Sequence, residues 1–191
     1  MTSDANSVNI EKRPYHHGDL RAALIAEGLR MLGEREADSL SLRELARRVG
    51  VSAPSVYRHF PDKEALMTAL AEEGLKQLAA AQHAAADAAG GGEEGFAATG
   101  RAYVRFALAN PALFRLIFTS PLAARYRRDN PEQPEAMTFL LANAAASVGA
   151  PDGSQEAQRA AIEAWALVHG LAMLILDGQL PADDAMIEAI C

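Results

Sequence analysis

Between Ser41 and Lys63 the chain gathers side chains suited to a polyanion and to the edges of stacked bases. They are the hydroxyls of Ser41 and Ser55, the guanidinium groups of Arg43 and Arg58, the Tyr57 phenol, the His59 imidazole and the Lys63 ammonium. Ser55 can hydrogen-bond a base edge or a phosphate, Arg58 can reach guanine or the backbone, and the Pro54 ring offers an apolar contact to a thymine methyl. Tyr57 and His59 can donate to phosphates, and Ser41, Arg43 and Lys63 can grip phosphates on either side. Lys63 also opens a helix, whose first N–H groups favour an anion. Catalytic chemistry has no comparable gathering: nucleophile, base and orienting group never recur together. Cys-x-x-Cys, Gly-x-Ser-x-Gly and phosphate-cradling glycine motifs are missing from the sequence. His16 and His17 are adjacent, which makes a poor metal pair, so neither metal nor cofactor is expected.

Those side chains need two short helices to present them. Ser41 precedes Leu42, Leu45, Ala46 and Val49, one apolar face of a helix, with Glu44 three residues after the cap as in a capping box. Gly50 supplies the stop. Ser52 is then expected to cap a second segment, Ala53 to Phe60, with Pro54 in its first turn, where a missing N–H costs little. At about 100° per residue, Val56 and Phe60 face inward, Pro54 and Arg58 lie opposite, Ser55 and Tyr57 flank them, and His59 lies nearer the core edge. Two helices joined by a glycine turn can hold the second out for insertion into a major groove. The alternative is a structural hairpin with ordinary surface charges. The short, partly aromatic outward set with one strong charge favours the groove.

On either side the pattern is helical. Residues 1–15 read as a flexible tail in which Lys12 and Arg13 are free to move. Leu20, Leu24, Ile25, Leu29, Met31 and Leu32 then form a stripe from Asp19 to Leu32 that Gly33 ends or weakens. Asp62 can cap a long helix through Leu66, Leu70, Leu75 and Leu78 toward the break at Gly90, Gly91 and Gly92. Further helices are expected over Glu93 to Asn110, Pro111 to Phe118, Pro131 to Val148, Ser154 to Leu176 and Ala182 to Ile190, punctuated by Pro121, Pro131, Pro151 and Pro181. No stretch sustains period-two alternation, so the fold class is all-α. The carboxylate pairs Glu72-Glu73 and Asp183-Asp184 read as solvated faces.

Half of the residues are apolar and 6% are aromatic, which suits a folded chain rich in Ala and Leu. The net charge of −7 opposes binding to nucleic acid until it is divided along the chain. Residues 1–63 hold 10 Lys or Arg against 9 Asp or Glu; residues 64–191 hold 8 against 16. The acidic excess lies entirely in the second part. With one cysteine, Cys191, an intrachain disulfide is excluded and an oxidising compartment is not required. The first ten residues lack a signal-peptide pattern, and no uninterrupted apolar run reaches the ~18 residues that cross a bilayer, so a cytoplasmic protein without membrane contact is expected.

Three segments carry a resemblance: Leu42-Arg-Glu-Leu-Ala-Arg-Arg-Val-Gly-Val-Ser52, Val56-Tyr-Arg-His-Phe60 and Asp62-Lys-Glu-Ala-Leu66. Over roughly residues 16–80 the chain resembles the TetR family of bacterial repressors. The resemblance implies a three-helix DNA-binding unit, here residues 16–62, joined by a long fourth helix to an all-helical ligand-binding and dimerisation domain, here 63–191. It also implies that Ser41, Arg43, Ser55, Tyr57, His59 and Lys63 face DNA.

Asn110-Pro-Ala-Leu-Phe-Arg-Leu-Ile-Phe118 and Trp165-Ala-Leu-Val-His-Gly170 look like the subgroup whose regulatory domain is marked by Trp, His and Gly in this arrangement. Trp165 and His169 are four apart and share a helix face, and Gly170 would allow close helix approach. Two readings stand for these aromatic residues. With Tyr103, Phe106, Phe114 and Phe118 they outline a mostly apolar small-molecule pocket, or each is a packing residue of the core. The helices Pro131 to Val148 and Ser154 to Leu176 are rich in Ala, Leu and Gly, as expected of a pair packing against its symmetry mate. Together these readings imply a homodimeric repressor of a palindromic double-stranded DNA operator, released by a small-molecule effector. The alternative is a regulator whose C-terminal domain binds a protein partner or only dimerises.

Overall fold

The computed structural model describes residues 20–120 and 135–191. The expected tail, the His16-His17 pair and the start of the helix placed at Pro131 lie outside the described residues. Within them the chain is helical throughout and holds no strand, in agreement with the all-α reading.

The first three helices are α1 (Leu20–Glu34), α2 (Leu42–Val49) and α3 (Ala53–Tyr57), with a 3-10 turn at Ala37–Ser39 between α1 and α2. Gly33 does not end α1, which runs one residue past it; the glycine is exposed, and a Cβ there would meet nothing. Ser41 caps α2 by accepting the Glu44 N–H (3.2 Å). The capping box is only half built, because the Glu44 carboxylate turns to Arg35 and Arg48. Gly50 closes α2 at φ 76°, a left-handed conformation that costs glycine little, and the Val51 N–H donates back to the Ala46 carbonyl at 2.9 Å.

The second expected helix is shorter than its apolar spacing suggests, ending at Tyr57 with Arg58 as its last half-turn. Its Ser52 hydroxyl does not cap it but meets the Ser55 hydroxyl at 2.8 Å. Phe60, beyond the helix, is still driven inside: Leu45, Val56 and Phe60 are sealed almost completely from solvent. Burying each such side chain contributes about 1.5–3 kcal/mol, enough for three short helices to hold one another.

Helix α4 (Lys63–Ala88) starts at a well-formed cap, the Asp62 carboxylate accepting the Ala65 N–H at 2.8 Å. It packs on α1, on α5 (Gly92–Ala109), on α6 (Pro111–Thr119) and on α7 (Glu135–Ser147). Two glycines let it approach closely. A Cβ at Gly28 would lie 2.8 Å from Leu70, and one at Gly74 would lie 2.7 Å from Leu113. A three-glycine turn, Gly90 to Gly92, with φ of 81°, 74° and 63°, reverses the chain from α4 into α5. Helix α8 (Gln155–Leu176) packs on α5 and α7, and α9 (Asp184–Ile190) on α5. Asp183, read as part of a solvated pair, caps α9 through the Ala185 N–H, and Asp184 faces Arg105 at 3.5 Å. Gly170 makes no close approach, whereas Gly100 does: its Cβ would sit 3.1 Å from Val168.

One continuous apolar core runs from Leu24 and Leu45 through Leu66, Leu70 and Phe114 to Ala172. Helix α6 bridges its two ends, touching α1 and the 3-10 turn on one side and α4 and α5 on the other. The expectation of no membrane contact stands beside one helix that passes a length-and-composition test, as helices packed within folded domains also do. By length and composition α8 is long and apolar enough to cross a bilayer, and Arg159 and Glu163 hide this from a count of uninterrupted apolar residues. It buries Ala157, Ala161, Leu171, Ala172 and Ile175 inside the chain and leaves Ile162, Leu167 and Leu174 exposed.

Candidate nucleic-acid interface and internal cavity

The outward set predicted for α2 and α3 is largely at the surface. Ser41, Arg43, Pro54, Tyr57, Arg58 and His59 are exposed, Tyr57 at 44% although it is a large aromatic. His59, expected nearer the core edge, is exposed. Ser55 and Lys63 are half-buried. Ser55 takes a hydrogen bond from the Arg58 guanidinium (3.1 Å), which lays that side chain back along α3. Lys63 donates to the Asp38 carbonyl at 2.6 Å, tying the start of α4 to the 3-10 turn.

Behind this surface lies an ion-pair network that sequence reasoning missed. Arg48 bonds Glu34 (2.7 Å), Glu44 (3.3 Å) and Glu27 (3.4 Å), while Arg30 bridges Glu27 and Glu34, and Arg35 pairs with Glu44. The network joins α1 to α2. Hydrogen bonds from Arg30, Arg48 and Arg35 hold the Glu27, Glu34 and Glu44 carboxyls, respectively, below their ordinary range. The same contacts raise Arg48 still further above the ordinary arginine range. Local spacing could have signalled Arg30 with Glu27 and Glu34; Arg48 reaches back 21 residues and could not be read that way. Its effect is to hold acidic side chains in internal pairs, leaving Arg43 outward.

A half-open cavity of about 300 Å³ lies between α4, α5, α6, α7 and α8. Of the six residues expected at a pocket, Tyr103, Phe118 and Trp165 line it. Phe114 and Phe106 do not: Phe114 is wholly buried, edge-on to Tyr103 at 5.4 Å, and Phe106 belongs to the core. His169 stands outside the wall, with its Nδ1 2.9 Å from the Tyr103 hydroxyl, and the Trp165 N–H donates to that same hydroxyl at 3.2 Å. Burial pushes the His169 pKa down and so favours a neutral imidazole. Gln82, Glu93, Met137 and Val168 are wall residues that sequence reasoning missed. Gln82 did leave a signal, being a polar residue four positions after Leu78 on the buried stripe of α4. Among the described residues no group of three or more His, Cys, Asp or Glu could hold a metal ion.

Two short helices that bury their shared face and expose hydroxyl, guanidinium and aromatic groups form a helix-turn-helix, the module that lays a helix in a DNA groove. Residues 24–70 match the family described as bacterial regulatory proteins, tetR family, and residues 96–190 match the tetracyclin repressor-like C-terminal domain. The chain is 44% identical over 57 residues to the class G tetracycline repressor protein of Vibrio anguillarum, covering 30% of this chain and 27% of that protein. It is 30% identical over 115 residues to an HTH-type transcriptional regulator of Mycobacterium tuberculosis, covering 59% of this chain and 49% of the relative. It thus spans about a quarter to a half of the length of these curated relatives. A solved structure of a protein of unknown function from Rhodococcus sp. RHA1 superposes with a TM-score of 0.74 at 34% identity, covering 94% of this chain and 93% of that one. The chain belongs to the tetR family of helix-turn-helix, DNA-binding transcriptional regulators.

Proposed function

We propose that this regulator represses transcription by binding a palindromic operator as a homodimer and leaves it when a small molecule enters the body cavity. Residues 16–62 serve as the DNA-binding domain and 63–191 as the regulatory and dimerisation domain, acting in the cytoplasm. The observation that carries this reading is the α2–α3 unit, which buries Leu45, Val56 and Phe60 while exposing Arg43, Pro54, Tyr57, Arg58 and His59. Ser41, Ser55 and Lys63 complete the proposed contact set, with Lys63 exchanging the Asp38 carbonyl for a phosphate.

Support for the dimer comes from α8. Leu167 and Leu174, seven residues apart and so on one face, are 50% and 40% exposed, the kind of apolar stripe a second copy would cover. Support for an effector comes from the cavity, which a mere dimerisation scaffold would have no need to keep open. The link of Trp165 and His169 through the Tyr103 hydroxyl favours the Trp-His-Gly subgroup. A ligand touching Leu78 in α4 pushes on the helix that begins directly behind the recognition helix. Tilting it changes the separation of the two recognition helices. The coupling would be about 1–3 kcal/mol, and operator must weaken effector binding by the same factor.

Salt-dependent operator binding tests the interface. Arg43→Ala should weaken binding and lower the salt slope by about 0.9, whereas Tyr57→Ala should weaken binding with little change of slope. Wild-type affinity and slope in both variants would remove α2 and α3 from the DNA.

A further inference from the structure

The cavity wall is specific about the chemistry it can accept. Its polar side chains have mostly spent their protons on backbone carbonyls or on neighbouring side chains. The Trp165 N–H goes to the Tyr103 hydroxyl, whose own proton points to His169 Nδ1 when the neutral imidazole carries its hydrogen on Nε2. The Thr99 hydroxyl donates to the Phe96 carbonyl at 2.6 Å and that of Ser147 to the Ala144 carbonyl at 2.9 Å. Gln82 is the exception. It lines the cavity, is only 8% exposed, and among the described residues its carboxamide makes no hydrogen bond. The Gln82 amide atoms are open to the cavity and not sealed away, so a molecule that fills this otherwise apolar space must hydrogen-bond them or leave them unmatched.

Charge narrows the choice further. No Lys or Arg is among the described lining residues, and the one carboxylate among them, Glu93, is exposed. Among the described residues an anion entering this space would meet no cation to offset the hydration it gives up.

We infer, resting on the reading of the cavity as the effector site, that the effector is a compact, uncharged, mostly apolar molecule whose single amide-like or carbonyl group hydrogen-bonds Gln82. The contact lands on α4 itself, 19 residues after Lys63, or about 28 Å along the helix that leads to the DNA-binding unit.

Three matched probes test this by equilibrium dialysis against the full chain: 2-naphthamide, 2-methylnaphthalene and 2-naphthoate. The amide should bind the wild type about tenfold more tightly than either of the others. Gln82→Met and Gln82→Leu should each remove that advantage while leaving 2-methylnaphthalene within about twofold of wild type, which also shows that the cavity has stayed intact. If the amide keeps its full affinity in both variants, or if 2-naphthoate binds wild type as tightly as the amide, the inference is overturned and the effector site survives. If none of the three binds wild type, both fall together. The comparison of amide with anion uses only the wild type and stands even where a variant fails to fold.

Discussion

The helices that face DNA and the helices that surround the cavity solve opposite problems with the same apolar residues. Around α2 and α3 the core is closed to solvent: Leu45, Val56 and Phe60 are almost wholly buried, and polar groups reach outward or into the Arg48 network. Around α4 to α8 the core opens into about 300 Å³, and the polar groups of its wall turn toward each other. A closed core fixes the spacing of groups that must meet a rigid duplex. An open one forfeits packing contacts and gains a place where a ligand can restore them.

Truncation should separate the two regions most strongly. Phe60→Ala is expected to cost about 3–5 kcal/mol in denaturant unfolding, while Met137→Ala, on the cavity wall, should cost less than half as much because its side chain faces empty space on one side. Equal costs would mean that the cavity is packed in solution. A smaller effect is expected at the α2 cap: Ser41→Ala should lower stability by about 1 kcal/mol, with no change in binding of 2-naphthamide.

Acid should then divide the molecule by region. Glu27, Glu34 and Glu44 have folded pKa values below the ordinary 4.5, so their contribution is complete above that value and is lost progressively as pH falls from it through the lowered folded values. His169 has a folded pKa below the ordinary 6.5, so its environment begins to oppose folding as pH drops below 6.5. Hydrogen exchange followed from pH 7 to pH 4 should show α8 amides losing protection first and α1–α2 amides only near the end. Arg48→Met should flatten the later step and leave the earlier one. Simultaneous loss in both regions would show that the two do not respond separately.

The contrast also explains what was legible in the sequence. Ser41, Gly50 and Asp62 act on their own or adjacent turns, so the starts of α2 and α4 and the end of α2 could be read from short-range rules. The length of α3 could not, because Phe60 is buried by tertiary packing after the helix has ended. Asp183 is at the surface as expected, and its carboxylate also caps α9. In the body, helical spacing brought Trp165 and His169 to one face, but whether either reached a cavity depended on Tyr103, more than sixty residues away. Gln82 and Glu93 became wall residues only when the turn at Gly90 to Gly92 folded α5 back on α4. The close approaches at Gly28 and Gly74 are likewise contacts between distant helices.

The central claim is that α2 and α3 form a DNA-reading surface presented twice by a dimer. Selection of bound DNA from a random duplex pool by the full chain tests it directly. Enrichment of an inverted repeat with half-site centres about one helical turn, ~34 Å, or a multiple apart is expected, with weaker enrichment of the same repeat by Tyr57→Ala. A pool that stays random with the wild-type chain, or the same repeat enriched as strongly by Tyr57→Ala as by the wild type, would contradict it.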